Sequence, residues 1–261
     1  MGAEGHADGT VGKALDVLDM VASVGAPVRF TDLLAQSAYP KATLYRFLQT
    51  LTHQGMLSYD ADRGTYSLGV RLVRLAHAAW AQASLAPIAR PYIDELAAET
   101  GETIHLAQLD LGQVLYVDKR HATRPVTMFA QAGKVGPAYC TGVGKAMLAF
   151  LPEEDLARAL DRQSFHRHTE HTLGSAQALR AELLVIRERG YAFDREEHER
   201  GIICCAVPIL SRSGGVVGAL SVTSTTALTT LAALEAGAGR IRDIAAQIAA
   251  AAESWRFPEQ N

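Results

Sequence analysis

Apolar residues recur at helical spacing through the first third of the chain. Beyond residue 101 they recur at every second position. Val11, Ala14, Leu15, Leu18, Val21 and Ala22 share one face, which predicts an amphipathic helix over residues 11–23 closed by Gly25 and Pro27. Residues 28–30 suit a short strand. Thr31 reads as the N-cap of a helix over 32–36, broken at 37–40. Leu44, Phe47, Leu48 and Leu51 then line one side of a second helix that ends near Gly55. Residues 56–58 and 65–68, with a turn at 60–64, form a hairpin pattern. Helix, turn, helix and two-stranded wing make a winged helix-turn-helix.

Residues 69–85 are helical again, with Leu72, Leu75, Ala76 and Ala79 in a narrow apolar stripe and Trp80 near its end. A helix over 86–100 follows, with a kink expected at Pro91. The period then becomes two. Strands are predicted at 103–109, 113–119 and 126–130, and a hairpin at 202–210 and 216–223. Helices are predicted at 141–151, 153–160, 175–189 and 228–252. Strands with helices packed on them make this part α+β. The expected organisation is a disordered tail at 1–10, a winged helix-turn-helix at 11–69, a linker helix at 70–85 and a second domain at 86–254.

At 261 residues with 48% apolar content, the chain suits two packed domains. No apolar run approaches the ~18 residues that span a membrane, and no signal peptide is evident. The three cysteines, Cys140, Cys204 and Cys205, are odd in number and two are adjacent. That is neither a disulfide framework nor a metal motif, so a reducing cytoplasm is expected and no metal or cofactor. The net charge of −3 gives no general attraction to DNA. Between residues 27 and 75, however, six cations face three acids. Such a patch binds phosphates weakly as one copy, which points to a dimer presenting two.

The helix face opposite Leu44 and Phe47 carries Ala42, Thr43, Tyr45, Arg46 and Gln49, with Lys41 at its start. A solvated face would have similar composition. Arginine and glutamine also read guanine and adenine edges, and lysine and threonine hold phosphates. Arg63 at the wing tip either reaches a phosphate or minor groove or merely solubilises the turn.

Gly142-Val143-Gly144-Lys145 invites a phosphate-loop reading, which fails because Tyr139 and Ala146 stand where that loop needs Gly and Ser or Thr. A helix start with free amides suits it better, and such amides suit a carboxylate. Ser221 and Thr223 alternate on one strand, so their hydroxyls share a face. Cys204 and Cys205 point to opposite sides of theirs. A thiol nucleophile would need a base, for which His105 and His198 are candidates by composition alone. His166, His168 and His171 lack metal-ligand spacing and read as loop residues.

Two stretches are more specific than periodicity. One is residues 140–149, CTGVGKAMLA. The other is residues 194–209, DREEHERGIICCAVPI, followed by GALSV at 218–222. Together with the winged helix ahead of them, they resemble the IclR family of bacterial transcription regulators over residues 11 to about 252. The resemblance implies a second domain like GAF/PAS sensors: an antiparallel sheet with flanking helices that binds a small effector. It places Asp194 at the effector and Cys204 facing the pocket. The implied site is Gly142, Val143, Gly144, Asp194, Cys204, Ser221 and Thr223. The implied DNA surface is Thr31, Lys41, Ala42, Thr43, Tyr45, Arg46, Gln49 and Arg63. Subunits of the family pair through the DNA-binding domains and linker helix and often form dimers of dimers. The expected function is therefore sequence-specific binding to a palindromic operator, with repression as the expected output, modulated by a small carboxylic or keto acid. The rival is a GAF-like thiol enzyme with a vestigial winged helix. Two departures weaken the transfer. Ala42 replaces a serine hydroxyl in the family's turn, and Tyr139 replaces a histidine before the 140–149 block.

Overall fold

The computed structural model describes residues 9–123 and 126–253, with the side chains of 81–83 outside that description. The chain divides into two compact units, one running through Gln82 and the other from Ala83 onward. The tail expected at 1–10 lies largely outside the described residues.

In the first unit, α1 (Thr10–Val24), β1 (Val28–Arg29), α2 (Phe30–Gln36), α3 (Lys41–His53), β2 (Leu57–Asp60), β3 (Thr65–Leu68) and α4 (Val70–Ala83) follow in order. The three strands form one antiparallel sheet in the order β1-β3-β2. Its core is the face that the spacing predicts: Val17, Leu18 and Val21 of α1 against Leu44, Phe47, Leu48 and Leu51 of α3, closed by Leu33, Leu57 and Tyr66. Each such side chain contributes ~1.5–3 kcal/mol on burial. Thr31 is not the N-cap of α2. Arg29 takes that position in extended geometry without a side-chain cap, and the Thr31 hydroxyl instead lies 3.3 Å from Asp32. The chain turns into helix as soon as β1 ends, so no residue is left over for a separate cap.

In the second unit, α5 (Ala86–Thr100) runs on through Pro91. Next come β4 (Thr103–Asp110), β5 (Gln113–Arg120), β6 (Val135–Gly136), α6 (Gly142–Leu148), α7 (Glu153–Asp161), α8 (Ala176–Arg189), β7 (Ala192–Arg195), β8 (Ile202–Leu210), β9 (Val216–Thr225), α9 (Leu231–Ala236) and α10 (Ala238–Ala252). Six antiparallel strands lie in the order β6-β5-β4-β9-β8-β7. Helices α5 and α10 pack on one face, and α6, backed by α8, packs on the other.

Three expectations need correction. Residues 126–130 are not a strand; their backbone is held by side chains, with Glu199 accepting from Phe129 N–H at 2.8 Å and Lys119 Nζ donating to the Ala130 carbonyl at 2.9 Å. The edge strand is β6 instead. Residues 192–195 form β7, hidden from sequence because a four-residue edge strand buried on both faces shows no alternation. The closing helix is two helices that meet at Gly237; the Thr230 hydroxyl caps the start of the first by accepting from Ala233 N–H at 3.2 Å.

Candidate functional site

The DNA-facing candidates gather on one surface of the first unit. Lys41, Ala42, Tyr45, Arg46 and Gln49 of α3 are exposed, while Thr43 is half-buried at the helix start. The Tyr45 hydroxyl accepts from Gln49 Nε2 at 3.0 Å, which steadies both across one helical turn. The Arg46 guanidinium lies over the Phe47 ring, 5.9 Å from its centroid. Between the start of α3 and the wing lies an open groove of about 550 Å³, lined by Phe30, Lys41, Ala42, Tyr45, Tyr59, Gly64 and Tyr66. Arg63 sits on the wing turn with its side chain 79% exposed, 3.8 Å from Asp60. So loose a surface pair contributes little and leaves the guanidinium available. Thr31 is on α2 and exposed.

The second unit holds a small, partly enclosed cavity between the sheet and the first turn of α6. Register explains how distant residues meet there. Cys204 faces Asp194 on one side and Thr223 on the other, while Ser221 pairs with His105. Residues paired across strands share a face, so the side chains converge. Gly142 lets α6 approach this face, since a β-carbon there would collide with Cys204 Sγ. Of the expected residues, Gly142, Val143, Asp194, Cys204, Ser221 and Thr223 line the cavity. Gly144 does not; it packs against the backbone of Ala138 instead. The free volume is about 30 Å³, enough for water but not for a metabolite without movement of the walls.

Several further groups line the cavity: Tyr116, Met128, Ala130, Thr141, Glu199 and Ile202, together with His105 and His198, which the sequence offered only as bases for a thiol and not as effector contacts. His105 left a trace, as a polar residue on the inward face of β4 between Thr103 and Ala107. The Lys145 side chain left none. It is fully buried and forms an ion pair with Glu197, itself 3% exposed, across from α6. The second Glu197 oxygen, Oε2, is buried without a hydrogen-bond partner among the described residues.

Charge in the cavity wall is correspondingly tuned. Burial, and then the neighbouring Glu197, lift the Asp194 carboxyl to about 7; Lys145 and the Glu197 N–H, at 2.8 Å, pull the other way. Burial, with Lys119 close by, drives the His105 imidazole down to about 3. Burial also opposes ionisation of Glu199, but hydrogen bonding from His198 and the Phe129 N–H outweighs it and holds that carboxyl below its usual range. Burial pushes the Cys204 thiol well up, with Asp194 adding to it, and raises Cys205 to about 12. Among the described residues no group of histidine, cysteine and carboxylate side chains could hold a metal ion.

This combination of an exposed reading helix and a buried polar chamber matches known proteins along its length. The family model "IclR helix-turn-helix domain" matches residues 10–61, and "Bacterial transcriptional regulator IclR C-terminal" matches residues 77–250. The chain belongs to the IclR family. It is 34% identical over 215 residues to the HTH-type transcriptional regulator KdgR of Dickeya chrysanthemi, covering 82% of this chain and 70% of that one. It is 31% identical over 212 residues to the transcriptional repressor IclR of Escherichia coli K12, covering 80% and 77%. An IclR homologue from Microbacterium hydrocarbonoxydans, solved with 4-hydroxybenzoate, superposes with a TM-score of 0.80 at 23% identity over 94% of this chain and all of that one. This IclR-family protein is a helix-turn-helix transcription regulator that binds DNA through its first unit and carries the family's effector domain as its second. No helix among the described residues is long and apolar enough to cross a membrane.

Proposed function

We propose that this IclR-family chain is a cytoplasmic repressor that binds a palindromic operator as a homodimer or dimer of dimers and is tuned by a small carboxylic or keto acid. The carrying observation is the small polar chamber in which Asp194, Cys204, Ser221 and Thr223 face the first turn of α6. The amides of that turn lack intrahelical acceptors and offer directed donors, so a carboxylate is held there without a buried counter-charge. Asp194, with its raised affinity for a proton, can sit beside the bound anion in its neutral form. Repression follows the activity named for the Escherichia coli relative. The acid held by the Microbacterium homologue is aromatic; the free volume of about 30 Å³ here favours a smaller acid.

On the DNA side, Lys41, Thr43, Tyr45, Arg46 and Gln49 read or hold the operator, with Arg63 and Thr31 at its flanks. Ala42 supports only close approach. Pairing of subunits is supported by α4, where Val70, Val73 and Leu75 are 74%, 67% and 50% exposed in the single chain. The thiol-enzyme alternative loses support from the thiols themselves. All three are buried, and their raised pKa values keep them from acting as thiolates.

The test is a salt-dependent mobility-shift titration of the full chain on its own upstream DNA, repeated with small acids. Binding should weaken steeply with salt. An acid that changes operator affinity by some factor should have its own affinity changed by operator in the same factor. DNA binding that no acid alters, with acids bound equally tightly to free and DNA-bound protein, would refute the regulatory half of the proposal.

A further inference from the structure

His105 is 3% exposed, lines the effector cavity, and has no hydrogen-bond partner for Nε2 among the described residues. Its Nδ1 lies 3.1 Å from Thr223 Oγ1, which in turn lies 3.2 Å from Ser221 Oγ. The ring is therefore oriented from one side, and its other nitrogen is turned into the chamber unpaired. The Ala130 carbonyl, which accepts from Lys119 Nζ at 2.9 Å, lies near enough to the ring to favour its protonated form slightly, but it makes no well-aligned hydrogen bond with Nε2. A buried orphan nitrogen weakens the empty protein, since its desolvation is not offset by a partner.

Position in the sheet says which part of a ligand would meet it. Gly142 rests on Cys204 of β8. His105 is on β4, two strands away across β9. Strand spacing puts the two poles roughly 10 Å apart at the backbone, with Ser221 and Thr223 between them. The His105 ring is kept neutral by burial and by Lys119. It therefore offers one directed hydrogen bond and no ion pair.

We infer that His105 selects the effector by hydrogen-bonding an oxygen at the end remote from the carboxylate, so that the preferred acids carry a terminal hydroxyl or carbonyl. This rests on the reading of the chamber as an acid site, with the carboxylate at the start of α6. Plain aliphatic acids of the same length leave Nε2 unpaired in a site now closed to water, and a site built around such a bond rejects analogues that lack it. Thr223 acts through the ring as its positioning partner.

Calorimetry on the full-length protein with matched three- and four-carbon acids tests this. The series comprises the plain acid, its 2-hydroxy form and its terminal hydroxy form. Wild type should bind the terminal hydroxy acid at least about tenfold more tightly than the plain acid. His105→Leu should bind both alike, with affinity for the plain acid retained. His105→Gln, which keeps a polar atom near the position of Nε2, should restore part of the preference. Should His105→Leu fail to fold by circular dichroism, His105→Met carries the same comparison. A preference that survives in the apolar variant, or that is absent from wild type while acids still bind, overturns the role of His105 and leaves the acid site standing. If wild type binds none of the series, the acid-site reading falls and this inference falls with it.

Discussion

The recognition helix and the effector chamber are both polar surfaces of one chain, yet they are built in opposite ways. On α3 the candidate contacts are exposed, their side chains need only a solvated helix face, and removing one leaves the core untouched. In the chamber wall Asp194 and His105 are buried, and so is the Lys145–Glu197 pair near Asp194, so each must be satisfied by a neighbour or remain a liability. The function proposed for α3 is therefore nearly free of stability, whereas in the chamber the proposed function and stability rest on the same interactions. The chamber is also where a ligand can change the protein's energy, because there it completes bonds that the empty state leaves open.

The largest effect should separate the two regions outright. Lys145→Met strands Glu197 as an uncompensated buried charge, and breaking such a pair costs about 3–5 kcal/mol. Thermal unfolding should fall sharply, and Lys145→Met combined with Glu197→Leu should recover most of the loss. A single variant as stable as wild type would mean that water reaches the pair.

A second, smaller effect is set by pH. The Asp194 carboxyl is raised from 3.8 to about 7 in the folded state. A raised carboxyl contributes most below its unfolded value, and its contribution is lost as pH rises through the folded one. Stability should decline between about pH 4 and 7 and level off above. The slope is at most about 1.4 kcal/mol per pH unit from this group. Asp194→Asn should flatten that slope and be the more stable protein at pH 8. Calorimetric unfolding from pH 5 to 8 measures it; an unchanged slope in the variant would place the titration elsewhere.

The smallest change in stability belongs to α3. Arg46→Ala should leave the unfolding temperature within error, while operator affinity falls by ~1–3 kcal/mol per half-site. Mobility shift and thermal melts on the same preparation make the comparison. Wild-type operator affinity in this variant would remove Lys41–His53 as the reading helix, whereas a large drop in melting temperature would show that the exposed face is not independent of the core.

The helix-turn-helix was legible because its information is local. The spacing of Leu44, Phe47, Leu48 and Leu51 specifies both the helix and its outward face without reference to any other segment. The change to period two after Gly101 likewise announced the sheet, and alternation alone put Ser221 and Thr223 on one side of β9. Resemblance in residues 140–149 and 194–209 supplied Asp194 and Cys204. Gly144 was misplaced because adjacency in sequence does not say which side of a helix turn meets the sheet.

Tertiary structure decided the rest. Whether residues 126–130 pair as a strand depended on Glu199 and Lys119 capturing their backbone. Whether Asp194 lies in a loop or a strand depended on β8 being free at its edge. The Lys145–Glu197 pair and the open nitrogen of His105 exist only because antiparallel register brings β4, β7, β8 and β9 against α6. A polar residue at an inward position is visible in the sequence as an exception to the apolar pattern. Its partner, or its lack of one, is a property of segments a hundred residues apart, and only their packing sets it.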